Sequence, residues 1–346
     1  MNEDIEALKK WFLNRRRIFP WREDASPYAV WVSEVMLQQT RAAVVAPYFL
    51  HWMERFPTIQ ALAAAELDDV IKAWEGLGYY SRARNLHAGA QLIVKEYEGR
   101  LPQSAEELQR IKGLGPYTVG AIRAFAFKQK AAAVDGNVLR VMTRYTNDSG
   151  DITRTQVQRR IREKVESLLP EEEPWLVSEG LIELGATVCL PKPDCASCPM
   201  QVGCEALASG TVQDLPQRKP RPKTEELYRW VGVIVADQYT LIRRGTEGQI
   251  MHDLHEFPYV AAQSGAEPRE LLSHLLMLPL QERGRLSRIT HGFTRYRVHL
   301  DPWIFNTVGQ QPVEGYQWVH FDQLADFAFS SGHRRLLHAL TSEKGL

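Results

Sequence analysis

The chain of 346 residues is too long for one ordinary core and suits two or three domains. It is 44% hydrophobic and 24% charged, as in a folded globular protein, and its formal net charge of zero counts against a uniformly basic nucleic-acid binder. No stretch reads as a membrane span, and no apolar run follows Arg15, Arg16 and Arg17 as a signal peptide would require. A cytoplasmic chain with no membrane partner is expected, and its four cysteines are then poor disulfide candidates. Basic residues do cluster locally, at Lys9 to Arg22 and again at 218–223, each cluster being by itself an ordinary solvated face.

In chain order, Ile5, Leu8, Trp11 and Phe12 fall on one helical face. Residues 28–37 are apolar nearly all round, which predicts a buried helix. Ser104 with Glu107 three residues on is a capping-box start for a helix over 104–111. The next helix spans 116–127 with Pro116 in its first turn, and helices over 153–168 and 175–187 follow. Near residue 210 the character changes. Residues 213–226 are Pro-rich and basic, which predicts a linker. Strands are predicted over 230–236, 240–243, 295–305 and 316–321, with helices over 267–276 and 321–341. The fold class is therefore multidomain: an all-α region followed by an α+β domain.

Cys189, Cys195, Cys198 and Cys204 lie within sixteen residues in a C-x5-C-x2-C-x5-C pattern. Thiolates at such spacing converge on one point without a large fold around them, and both zinc and a [4Fe–4S] cluster suit four cysteines. One tight loop, rather than two separate C-x2-C pairs, favours the cluster, with a structural role.

Gly113-Leu114-Gly115 joins two helices in a tight hairpin. Glycines there open conformations closed to other residues and expose backbone N–H groups at the start of the Pro116 helix, where an anion is favoured. A DNA phosphate is the natural ligand, with Lys112 beside it, and such a contact holds DNA of any sequence.

Two carboxylates stand out. Glu34 lies inside an apolar helix, where burial raises its pKa toward that of a general acid near neutral pH. The plainer alternative places it on a narrow polar stripe with Gln38. Asp135 precedes a predicted helix, where an N-cap explains it equally well. Two carboxylates in different environments are what N-glycosidic cleavage needs, one to protonate the leaving group and one to stabilise positive charge on the sugar.

These residues resemble the MutY-type adenine DNA glycosylases. The motifs are Pro20-Trp21-Arg22, the run Ser33 to Thr40, Gly76-Leu77-Gly78-Tyr79-Tyr80, the hairpin at 111–122, Val134-Asp135-Gly136-Asn137-Val138 and the cysteine loop, together covering the chain to about residue 205. The C-terminal domain resembles the family's Nudix-like domain more loosely. The resemblance implies a helical glycosylase region over 1–212, in which 25–130 form a helix-hairpin-helix barrel and 1–24 with 131–212 an iron–sulfur domain. A linker over 213–227 and a Nudix-like lesion-recognition domain over 228–346 complete it. It also implies a monomer that removes adenine opposite 8-oxoguanine or guanine in duplex DNA, with the base flipped into a pocket. Glu34 would protonate the base at N7, and Asp135 would stabilise the oxocarbenium ion. Tyr117 and Asn137 match assisting positions, and Trp21, Arg22 and Glu179 the adenine pocket. Gln39, Thr40, Leu77 and Tyr79 match residues that enter the DNA stack or meet the opposite base.

Endonuclease III shares the outline of residues 1–205 but carries a Schiff-base lysine where this chain has Tyr117. Without an amine there, hydrolysis without strand cleavage is expected. Lys112 and Lys128 are the nearest lysines and read as phosphate-facing or solvated. The chain departs from the family in three places. Five residues, not six, separate Cys189 from Cys195. Phe293-Thr294-Arg295 stands where a Phe-Ser-His hairpin commonly meets the 8-oxoguanine. His252-Asp253-Leu254-His255 replaces Gly-Gly-Leu-Trp. Residues 273–281 hold one His and no carboxylate, so a Nudix hydrolase that binds magnesium is not expected there. Other readings of the chain are an endonuclease III-like glycosylase on oxidised pyrimidines and a lesion sensor without catalysis.

Overall fold

The computed structural model describes residues 2–220, 223–248, 251–293 and 295–342. The chain forms two compact units, Met1–Ala65 with Arg84–Pro220, and Glu66–Ala83 with Arg221–Leu346. Among the described residues no helix is long and apolar enough to cross a membrane.

The first unit is helical throughout its described residues. The Asn2–Arg15 helix buries Ile5, Leu8 and Phe12, and it crosses the Pro174–Thr187 helix at Gly180, where an added Cβ would lie 3.2 Å from the Leu8 side chain. The Pro27–Leu37 helix starts at Ser26, whose hydroxyl accepts the Ala29 N–H at 3.3 Å, and every residue from Tyr28 to Met36 is buried. An all-round apolar helix finds partners on all sides, as the sequence requires. Ser104 caps the Ala105–Arg110 helix by accepting the Glu107 N–H, while its own hydroxyl donates to the Glu107 carboxylate at 2.7 Å. The helix after the glycine hairpin differs from expectation. It is α-helical over Pro116–Ala121 and widens into a π-helical turn over Ile122–Ala126. The Gly136–Tyr145 helix buries Val138 and Met142 in one core with Leu8, Val177, Leu181 and Leu184. That packing fixes the helix, and with it Asp135 at its start.

Among its described residues the second unit carries eight strands: β1 Glu225–Ala236, β2 Tyr239–Arg244, β3 His255–Glu256, β4 Tyr259–Ala261, β5 Gln281–Arg285, β6 Ile289–Phe293, β7 Tyr296–Asn306 and β8 Gln317–His320. Their order is β3-β2-β1-β7-β5, with β4, β6 and β8 pairing β1, β7 and β2. The β1–β7 pair is parallel, from Glu225 opposite Tyr296 to Val235 opposite Asn306. Alternation along β1 sends Val231, Val233 and Val235 to one core, with Leu336, Leu337 and Leu340 of the Ser331–Ser342 helix. Ile234 faces the other core, with Leu272 and Leu276 of the Pro268–Leu276 helix. The α+β class expected for this region holds.

Three local expectations fail. The 213–227 stretch is not a uniform linker. Leu215 is buried, the Gln217 carbonyl accepts the Ile152 N–H at 3.1 Å, and β1 already begins at Glu225. Strands β3 to β6 lie outside the predicted ones: β3 and β4, of two and three residues, are too short to show a period, and β5 is a polar run without apolar alternation. The helix expected over 321–341 is two elements, a 3-10 turn over Phe321–Asp326 and an α-helix from Ser331. Between them the Ala328 carbonyl accepts the His255 N–H at 2.7 Å, an edge contact that a continuous helix would forbid.

The helical unit has little slack behind the hairpin. A Cβ at Gly120 would stand 2.0 Å from the Ala132 carbonyl oxygen, whereas one at Gly115 meets nothing within 4 Å. Gly120→Ala should therefore destabilise the protein by about 1–3 kcal/mol, and Gly115→Ala should change its melting temperature little. Thermal unfolding of the two variants side by side checks this.

Candidate active site and cysteine loop

One cavity of about 1060 Å³ in the helical unit gathers most of the residues singled out from the sequence. Glu34, Tyr117, Asp135 and Asn137 line it, as do Trp21, Arg22 and Glu179. Gln39, Thr40, Gly113 and Gly115 line it as well.

Glu34 is only 5% exposed, and the Tyr117 hydroxyl donates to its Oε2 at 2.5 Å. The polar-stripe alternative for Glu34 therefore fails, while Gln38 turns instead to the Thr118 hydroxyl at 3.2 Å. Burial pushes the Glu34 carboxyl up to about 7. The Tyr117 hydrogen bond and Arg22 oppose the rise, and Asp135 and Glu179 add to it. Tyr117 is itself held far above its ordinary range by burial and the adjacent carboxylates, so it stays a phenol and a donor.

Asp135 caps a helix and lines the cavity at once. Its Oδ1 accepts the Asn137 and Val138 N–H groups at 2.9 and 2.8 Å, and its Oδ2 accepts the Asn137 side-chain amide at 2.7 Å. Burial raises this carboxyl, and the three N–H donors pull against the rise. Its orientation is fixed on both oxygens.

The pocket wall is an ion-pair network. Arg22 reaches Glu179 at 3.2 Å and Glu183 at 2.9 Å, and Arg17 takes the other face of Glu183 at 2.7 Å. Burial alone would raise the Glu183 carboxyl, but the Arg17 and Arg22 hydrogen bonds together hold it below its ordinary range. Glu179, with less help, stays raised by burial. Trp21 is buried and stacks on Phe19 at 4.8 Å, with Phe49 edge-on at 5.6 Å. Sequence reasoning missed Glu183 and Arg17. Glu183 sits in the apolar Pro174–Thr187 helix as Glu34 sits in its own, and the same rule would have found it.

Of the two hairpin glycines only Gly113 needs its freedom, with φ of +92°, while Gly115 has φ of −78° and starts the Pro116 helix. Lys112 is exposed and is not among the residues lining the cavity. Lys128 is exposed too, yet it does line the cavity, with its ammonium 5.1 Å over the Trp175 ring. Leu77 and Tyr79 belong to the other compact unit, as do Phe293 and Arg295. Phe293 ends β6, 5.6 Å from the Tyr296 ring, and Arg295 pairs with Glu225 at 3.3 Å. Thr294 lies outside the described residues.

The four cysteines line a second, apolar cavity with Val141, Leu184 and Val188. Among the described residues no three His, Cys, Asp or Glu side chains are grouped as for a single metal ion. Burial holds the free Cys198 thiol up at about 12. Yet the sulfurs have the donors that thiolates need: Arg144 to Cys189 at 3.3 Å, the Met200 N–H to Cys198, and the Leu207 and Ala206 N–H groups to Cys204. This donor set fits a thiolate-ligated group. Arg140, another missed residue, joins the two sites. It donates to the Asn137 side-chain oxygen at 2.9 Å and to the Cys189 carbonyl at 2.7 Å.

Residues 32–167 match the HhH-GPD superfamily base excision DNA repair protein family, and residues 229–339 match the NUDIX domain family. The chain is 31% identical to an adenine DNA glycosylase of Rattus norvegicus, covering 96% of this chain and 78% of that one. With the Homo sapiens adenine DNA glycosylase it is again 31% identical, over 98% of this chain and 74% of that one. A relative of the same name from Buchnera aphidicola (Schizaphis graminum) is 29% identical, over 87% of each chain. Among solved structures, a thermostable thymine-DNA glycosylase covers 59% of this chain and 95% of its own, at 26% identity and a TM-score of 0.55. An endonuclease III trapped on DNA, at 23% identity and a TM-score of 0.51, shares the fold of the helical region.

The raised Glu34 carboxyl has a stability consequence. Between pH 4.5 and about 7 the folded protein keeps a proton that the unfolded chain has released, so stability falls as pH rises through that window. Glu34→Gln removes the penalty of a buried charge. Urea unfolding at pH 5 and pH 8 should show the variant gaining on the parent chain at the higher pH.

Proposed function

The chain belongs to the adenine DNA glycosylase family and is a DNA glycosylase of base-excision repair, and we propose that it hydrolyses the N-glycosidic bond of adenine mispaired with 8-oxoguanine or guanine in duplex DNA. The observation that carries this reading is the Glu34–Tyr117 pair: a buried carboxyl, raised to about 7 and oriented by a phenol, on the wall of one cavity with the helix-capping Asp135.

The adenine leaves the stack and enters the cavity against Trp21, with Arg22 and Glu179 on the wall. Glu34 delivers its proton to N7 of the base. The bond between the sugar C1′ and the base nitrogen breaks, and its electron pair leaves with the protonated base. Positive charge builds on C1′ and the ring oxygen, and Asp135 faces it as a carboxylate, held in place by Asn137 and the helix N–H groups. Water then adds its oxygen to C1′, and its proton returns to Glu34. Tyr117 keeps Glu34 oriented throughout, and as a phenol it offers no amine for a Schiff base, so the strand is left intact. Gln39, Thr40, Leu77 and Tyr79 are assigned to the DNA stack and the opposite base. Gly113, Gly115 and Lys112 are assigned to the backbone phosphate, and Phe293, Thr294 and Arg295 to the 8-oxoguanine side.

Cys189, Cys195, Cys198 and Cys204 are assigned a [4Fe–4S] cluster, supported by their shared apolar cavity and their N–H donors. Such a cluster supplies iron–thiolate bonds that cross-link the loop. The residues around it do the rest: Arg144 holds the Leu190 carbonyl at 2.7 Å, and Arg140 the Cys189 carbonyl.

Single-turnover release of adenine from a duplex carrying it opposite 8-oxoguanine tests the reading. Glu34→Gln and Asp135→Asn should each lose at least about a hundredfold, and parental rates in both would overturn it. The parent rate should fall as pH rises through about 7, because the protonated Glu34 is the active form. Borohydride should trap no adduct. A trapped adduct would direct attention to Lys128 at the cavity wall and to a lyase reaction.

A further inference from the structure

The segment Glu66–Ala83 belongs to one compact unit with residues 221–346. Its contacts are specific. Arg334 grips the Glu75 carboxylate with two nitrogens, at 2.6 and 2.9 Å, and the Phe329 N–H adds a third donor at 2.9 Å. Lys72 bridges the same carboxylate at 2.9 Å to the Ala325 and Phe327 carbonyls. Side chains of Glu75 and Arg334 are only 15% and 18% exposed, so this is not a solvent-screened surface pair. A second pair, Asp68 with Arg244 and then Asp253, ties the start of the segment to β2. The break at 327–330 in what the sequence reads as one helix supplies the Phe327 carbonyl and the Phe329 N–H of this cradle, and the 3-10 turn before it supplies the Ala325 carbonyl.

Glu75 immediately precedes Gly76-Leu77-Gly78-Tyr79-Tyr80. That loop is held in one shape from within. Gly76, Gly78 and Tyr79 have φ of +101°, +72° and +49°. The Trp74 indole donates to the Gly78 carbonyl at 3.0 Å, and Arg82 donates to the Leu77 and Gly78 carbonyls at 3.2 and 3.0 Å. Leu77 is 6% exposed and Tyr79 45%. A loop this rigid takes its direction from whatever fixes its ends.

We propose that Glu75 and Arg334 are positioning residues, through which the C-terminal domain sets the placement of the Leu77–Tyr79 loop against the base opposite the adenine. This rests on the assignment of Leu77 and Tyr79 to the DNA stack. The domain that meets the lesion base and the loop that enters the stack beside it then act as one body, and the preference for 8-oxoguanine over guanine depends on the link between them.

The test uses full-length protein and duplexes with a non-cleavable adenine analogue, carrying 2-aminopurine next to the opposite base as a fluorescent reporter of unstacking. In Arg334→Ala and Glu75→Gln the fluorescence rise should shrink. The preference for 8-oxoguanine over guanine in apparent affinity should fall about tenfold, while the single-turnover rate at saturating enzyme on cleavable adenine:8-oxoguanine duplex changes less than threefold. Arg334→Lys, which keeps one charge but not the two-pronged grip, should fall between. Parental fluorescence and preference in folded Arg334→Ala would overturn the proposal. If Arg334→Ala does not fold, the near-isosteric Glu75→Gln decides by the same readouts. A parent chain that releases adenine without responding to either variant defeats this inference alone. One that neither releases adenine nor unstacks the reporter defeats the functional reading beneath it.

Discussion

The proposed chemistry depends on keeping one proton on the buried Glu34 carboxyl. Burial supplies the main push, and the Tyr117 hydroxyl fixes the direction in which the carboxyl faces. The difficulty is that the cavity is lined by cationic side chains, as a DNA-binding surface needs, and an unpaired arginine beside Glu34 would strip that proton away. Here Arg22 is engaged by Glu179 and Glu183, and Arg17 by Glu183. The two glutamates one helical turn apart thus draw off the positive charge that would otherwise depress Glu34. Arg22 still counts against the raised Glu34 carboxyl, but only as the last of the influences on it.

The Gly136–Tyr145 helix organises the rest. Its cap is Asp135, its first turn carries Asn137, and Arg140 and Arg144 follow one turn apart on the side facing the cysteine loop. Arg140 holds the Asn137 side chain and the carbonyls of Gly185 and Cys189, and Arg144 holds the Cys189 sulfur and the carbonyls of Leu190 and Pro191. A single rigid element therefore connects the capping carboxylate of Asp135 with the loop that holds the four thiols. The close approach of Gly185 to Asn137 belongs to the same arrangement, since a Cβ there would lie 2.6 Å from that of Asn137.

What could be read from the sequence was whatever announced itself locally. Glu34 was legible because a carboxylate among the apolar residues of 28–37 demands a reason, and Asp135 because a helix cap and a catalytic carboxylate want the same fixed geometry. The cysteine loop was legible from spacing alone. Glu183 obeyed the same rule as Glu34 and was passed over, because its reason lies with Arg17 and Arg22, about 160 residues earlier in the chain. Arg140 looked like any basic residue on an amphipathic helix. In the C-terminal unit the long strands β1 and β7 showed in the sequence, but β3 and β4, of two and three residues, exist only because longer neighbours offer them an edge.

The division of the chain into compact units carries the same lesson at a larger scale. Sequence order places residues 66–83 in the middle of the helical region, and motif matching assigns them there. Asp68, Lys72 and Glu75 pair with Arg244, Phe327, Phe329 and Arg334. Charge explains why no local pattern shows this. Asp68, Lys72 and Glu75 recur at three- and four-residue spacing, which on its own describes a solvated helix face laced with intrahelical pairs. Only their partners, 176 residues later for Asp68, 255 for Lys72 with Phe327 and 259 for Glu75 with Arg334, turn that face into a contact surface. A polar stripe that reads as surface is thus the sequence trace of a polar interface. The same reasoning separates it from Glu34, whose apolar surroundings could be satisfied only by burial.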